Sequence, residues 1–148
     1  MSTNQIIIKN ALKIFLGLVL YFFSMKFFGL ENVTELRFFN FLFVLWGINS
    51  AIKQNIHFNN EDLYINNLFI GASTAILAVG LSILGLTIYI SLISPSFIEI
   101  LEGSFLWSNN LSLPLLIFAL SIEGIASSVV CSFILMQYYK NYKPSIIL

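Results

Sequence analysis

Residues 63–98 read LYINNLFIGASTAILAVGLSILGLTIYISLISPSFI, without one charged side chain. The apolar body, about residues 68–93, exceeds the ~20 residues that an α-helix needs to cross a hydrocarbon layer of ~30 Å. The stretch reads as a transmembrane helix, and the rest of the chain is consistent with that. Of 148 residues, 58% are apolar, 16% aromatic and only 9% charged. Soluble domains carry ~25% charged residues. Seven basic and seven acidic side chains are too few to cover a water-soluble fold of this size. The composition excludes a soluble enzyme, a disordered regulator and a nucleic-acid binder with a basic patch.

Three further apolar segments flank this one. The first covers about residues 11–30, with Lys13 and Lys26 bracketing a charge-free centre; both can extend their stems toward the interfaces. The second covers about 36–52, between Arg37 and Lys53, and the last about 113–139, with Pro114 in its first turn, where a missing N–H costs little. The expected architecture is all-α: one domain, residues 1–148, forming an integral membrane four-helix bundle. The Asn-rich link from Gln54 to Asn67 offers Asn59 or Asn60 as a cap for the third span. Ser96-Phe97-Ile98-Glu99 fits a capping box, and Gly103 can stop the helix it starts. A short interfacial helix between spans three and four is expected, with Phe97, Ile98 and Leu101 toward lipid.

Four spans put both termini and the middle link on one side, with Lys9, Lys13, Lys53, Lys140 and Lys143. Lys26 and Arg37 fall on the other. The positive-inside rule places both termini in the cytoplasm. Trp107 would then anchor the outer interface, and Tyr138, Tyr139 and Tyr142 the inner one. The two halves show no inverted repeat of the kind transporters use.

Glu123 is the principal candidate functional residue. Eleven residues after Ser112, it lies ~16 Å along its helix, near the bilayer centre. An ionisable group there is costly and needs a partner. Depth alone offers Asn49, Tyr21 and Ser82, with Ser127 one turn away on the same helix. The cluster reads either as a proton or cation relay or as polar glue between helices, and glue is the reading preferred. Small residues supply a second pattern: Gly71, Ala75, Ala78, Ser82 and Gly85 in span three, and Gly124, Ser128 and Ser132 in span four. Such seams let backbones approach closely. Packing of spans three and four against each other is expected, with dimerisation as the alternative. Glu123 is expected to face the bundle together with this seam.

The single cysteine, Cys131, and the single histidine, His57, exclude a disulfide and a bis-histidine haem. His57 and Glu61 are spaced for a shared metal but make too weak a site. Asn32-Val33-Thr34 matches a glycosylation acceptor, set too close to the membrane to be used. No cofactor, metal or catalytic grouping is expected.

Leu36-Arg37-Phe38-Phe39-Asn40, Ala51-Ile52-Lys53, Glu123-Gly124 and Met136-Gln137-Tyr138-Tyr139-Lys140 together resemble a family of small four-span bacterial membrane proteins known only as a domain of unknown function. The resemblance implies a bacterial inner-membrane location and supplies no activity. The functional expectation is a non-enzymatic structural or accessory subunit that meets the lipid bilayer and a second copy or a larger membrane complex. The alternative is a minor transporter or ion-translocating protein using Glu123.

Overall fold

The computed structural model describes residues 2–30, 33–102 and 112–140. They form α1 (Thr3–Phe27), a 3-10 helix (Thr34–Phe39), α2 (Asn40–Asn59), α3 (Tyr64–Leu92), α4 (Phe97–Glu102) and α5 (Leu113–Tyr139), with no strand among the described residues. Helices satisfy every interior backbone group within their own segment, the form that an apolar solvent permits. Three of them, α1, α3 and α5, are long and apolar enough to cross a membrane.

α1 begins well before the expected span. Ser2 Oγ accepts from the N–H of Gln5 at 3.4 Å, and Gln5 Oε1 accepts from the N–H of Ser2 at 3.1 Å. This is a reciprocal capping box. The far end closes through Gly29, at φ +67°. The N–H of Leu30 donates to Met25 O and that of Gly29 to Lys26 O, the Schellman arrangement that glycine adopts without strain. The 3-10 helix is tied back to α1 by Tyr21, whose hydroxyl donates to Leu36 O at 2.8 Å.

The middle link is shorter than the sequence suggests. α2 runs on to Asn59 and takes in Gln54, Asn55 and His57. Asn60 does not cap α3; it ends α2 in the left-handed conformation at φ 49°, which asparagine tolerates. Leu63 precedes α3 without a side-chain cap. Instead Glu61 Oε1 accepts from the N–H of Leu63, and Glu61 Oε2 from Asn66 Nδ2.

α3 is the central helix, packed against α1, α2 and α5, while α2 also touches α1 and α5. α1 and α5 thus lie on opposite sides of the α2–α3 pair. One buried cluster joins Ile48, Ile52, Ala75, Cys131 and Met136. Another joins Tyr89, Ile90, Phe97, Leu101 and Leu116. Phe97 and Leu101 therefore turn into protein rather than toward lipid. The reason is the triad of edge-on rings Phe22, Tyr89 and Phe97, with centroids 5.1–5.5 Å apart, which supplies a better-packed surface for α4. Ser96 Oγ meets Ser94 Oγ at 3.4 Å, so the expected capping box gives way to a backbone turn from the N–H of Glu99 to Ser96 O. Tyr139 is buried and Tyr138 exposed, so of these two tyrosines it is Tyr138 that has the exposure of a belt residue. Asn32, Gly103, Trp107, Tyr142 and Lys143 lie outside the described residues.

Candidate functional site: an interior amide network, an outward carboxyl and a lateral cleft

The small-residue seam is where α3 and α5 meet. A Cβ on Gly124 would collide with Val79 of α3. A Cβ on Gly71 would lie 3.0 Å from Ile48 Cγ2 and 3.3 Å from Ser132 Oγ. Ala75, Ser128 and Ser132 are buried there, while Ala78 is buried against Ala11 and Ile14 of α1. Gly85 instead faces α1, at Phe15. Gly47, a close approach that the small-residue spacing does not reveal, leaves its space to Ile14 of α1.

The polar cluster expected around Glu123 is not assembled. Glu123 is exposed on α5, on the side away from the seam. Asn49 Oδ1 accepts from the Tyr139 hydroxyl. Ser82 Oγ donates to Ala78 O at 2.8 Å and Ser127 Oγ to Gly124 O at 3.0 Å. Thr74, Ser128 and Ser132 likewise bond carbonyls of their own helices. A hydroxyl in an apolar helix takes the nearest acceptor, the carbonyl one turn back, and is then unavailable to a neighbouring helix. Nor do these residues share one height: Ile48, beside Asn49, packs at Gly71 and Ser132, whereas Gly124, beside Glu123, packs at Val79, ~12 Å further along α3 at ~1.5 Å per residue.

The interior polar contacts form elsewhere, toward the start of α1 and α3 and the end of α2. Asn55 Nδ2 donates to Asn67 Oδ1 at 2.8 Å, and Asn59 Nδ2 to Asn55 Oδ1 at 2.8 Å. Asn67 Nδ2 donates to Glu61 O at 3.0 Å and to Leu63 O at 3.2 Å. On the α1 side, Asn10 Nδ2 donates to Ile6 O and to Gln54 Oε1, and Gln54 Nε2 to Ser50 Oγ. Asn10, Asn55 and Asn67 are all buried. Asn10 Oδ1 has no protein partner. Lys13 Nζ lies 5.8 Å from the Trp46 ring centroid, a cation–π distance. A run of asparagines reads as loop because the side chain competes for backbone groups in turns. Here the amides satisfy each other across the α2–α3 interface.

A cleft of about 410 Å³ opens between α1, α3 and α4. Its walls include Phe15, Val19, Phe22, Leu86, Ile88 and Tyr89. At the Tyr89 end, Lys26 Nζ donates to the tyrosine hydroxyl and stands 5.0 Å from the ring centroid. Among the described residues, no group of three or more metal-ligating side chains occurs.

Compared with protein-family models, curated proteins and solved structures, the chain finds no match.

Proposed function

We propose that the chain is a small non-enzymatic membrane protein, a structural or accessory subunit that associates with a second copy or a larger membrane complex through the outer face of α5. In this reading α2 joins α1, α3 and α5 as a fourth span, α4 sits at the interface, and both termini are cytoplasmic. The resemblance noted above points to the bacterial inner membrane. At 20 residues, α2 is ~30 Å long, enough for an upright span. Its interior amides are bonded to neighbouring helices, which removes much of the cost of carrying them across.

The observation that carries the association is the exposure of Glu123 on an otherwise apolar face. Ile122, Val130, Phe133 and Ile134, all within about 100° of it around the helix at ~100° per residue, are exposed too. A carboxyl facing hydrocarbon is unfavourable, and a partner helix offering a hydrogen bond relieves that cost. Ala126, exposed one turn away, leaves room for close approach. Cross-linking from Ala126→Cys in native membranes tests this; Cys131 is buried and gives little background. We expect a discrete cross-linked species. Glu123→Leu should weaken it about three- to thirty-fold, the range for hydrogen bonds between membrane helices, and Glu123→Gln should retain it. Cross-linking indifferent to both changes would refute the association face. Proton flux in proteoliposomes that Glu123→Gln abolishes would favour ion translocation instead.

The orientation has its own test. Reporter fusions after Lys143 and at the Asn60 turn should read cytoplasmic, and a fusion after Glu102 external. An external C-terminal fusion would overturn either the first span or the orientation.

A further inference from the structure

We propose that the cleft between α1, α3 and α4 binds one acyl chain of an anionic phospholipid, with the headgroup beside Lys26. At about 410 Å³ it falls in the ~300–1,000 Å³ range of small-molecule sites. It follows α1 from Phe15 to Met25 and α3 from Ser82 to Ile93, about 15 Å of helix at ~1.5 Å per residue. This is the shape of a chain rather than of a compact ligand. Small Ser82 and Gly85 in one wall leave the space that larger side chains would fill.

The chemistry of the lining selects the occupant. Phe15, Val19, Phe22 and Leu86 present apolar surface. Two of the polar residues in the wall are already engaged, Tyr21 to Leu36 O and Ser82 to Ala78 O. The middle of the cleft therefore offers a ligand apolar contacts. An empty apolar space of this size forfeits dispersion contacts along its lining, which a hydrocarbon chain restores. Phe23 and Ile88 belong to the wall and are 53% and 57% exposed, so the cleft opens sideways, where lipid would have access. Charge distinguishes one end. Lys26, in the last turn of α1, places its ammonium on the hydroxyl of the wall residue Tyr89. No acidic side chain is among the described residues of the lining. A phosphate headgroup at that end gains the attraction of a cation, and a zwitterionic headgroup gains less. The inference rests on α1 and α3 lying in a bilayer and is independent of the α5 face.

Native mass spectrometry of the full chain, loaded with phosphatidylglycerol or with phosphatidylcholine of the same chains, reads the preference. One retained phosphatidylglycerol is expected, with a preference of about five-fold that Lys26→Gln removes. Val19→Trp places an indole in the cleft and should lower retention about ten-fold or more, since a filled pocket leaves no room for the chain. A phosphatidylglycerol carrying a diazirine on its acyl chain gives a wild-type readout that needs no variant. Labels should concentrate within residues 15–25 and 82–93. Equal retention of the two lipids, or labels spread evenly over the exposed Leu and Ile of α5, would overturn the proposal. So would Val19→Trp retaining as much lipid as wild type.

Discussion

Gly124→Leu should give a protein that assembles poorly and unfolds at lower denaturant than wild type. Even the first carbon of the new side chain overlaps Val79 on α3. Valine is branched at Cβ and rotates only at a cost, so α3 and α5 must separate instead. Overpacking of this kind costs ~1–3 kcal/mol, and more where a backbone has to move. The loss would extend along the interface that buries Ala75, Ser128, Cys131 and Ser132. Gly80→Ala is the matched control. Gly80 is on the same α3, and a Cβ there meets nothing within 4 Å. Alanine should hold the helix as well or better, by up to ~1 kcal/mol. Unfolding of both variants in mixed micelles, followed by helicity, makes the comparison. Equal stabilities would show that the two helices do not meet closely at Gly124.

A second large effect is expected at Asn67. Asn67→Leu leaves the Asn55 amide, now donating to Asn67 Oδ1, without its acceptor in a buried position. It also removes the side-chain donor to the carbonyls of Glu61 and Leu63 at the α2–α3 turn, of which Leu63 O keeps the backbone N–H of residue 67. A stranded buried donor costs ~1–3 kcal/mol. The double variant Asn55→Leu/Asn67→Leu removes both partners and should cost less than the sum of the single variants. That difference is the coupling energy of the pair, ~0.5–3 kcal/mol for residues in one network. Strictly additive costs would mean that the two amides act separately.

The helices themselves were legible from the sequence. The uncharged run after Asp62 and Pro114 at the head of the last helix mark α3 and α5 to within a few residues. The Gly124-Ser128-Ser132 spacing identifies their contact. The rotation of Glu123 was less visible, because depth along a helix fixes height and not direction. The seam contains that direction too. At ~100° per residue, the mean direction of Gly124, Ser128 and Ser132 lies about 140° from Glu123. A helix that buries those three must turn the carboxyl outward. The asparagines from 55 to 67 were harder still. Their composition favours a loop, and it is Asn55 and Asn67, paired across two helices, that are buried, while Asn59, Asn60 and Asn66 are exposed. Ser2 and Gln5, three residues apart, form a local capping signature at the start of α1 that a reading of the apolar run alone, from about residue 11, passes over.

The order in which the helices meet has a kinetic consequence. α1, α2 and α3 touch one another in all three pairings, so the first ninety-two residues close a three-helix unit as synthesis proceeds from the N-terminus. α5 joins that unit last, along the surface formed by Gly71, Ala75 and Val79. Until it arrives, that strip of small residues has no lid, and a ribosome-bound chain halted before Ser112 carries it open. Assembly of these helices is therefore staged, with α5 acting as the closing step and its carboxyl-bearing face becoming available only when that step is complete.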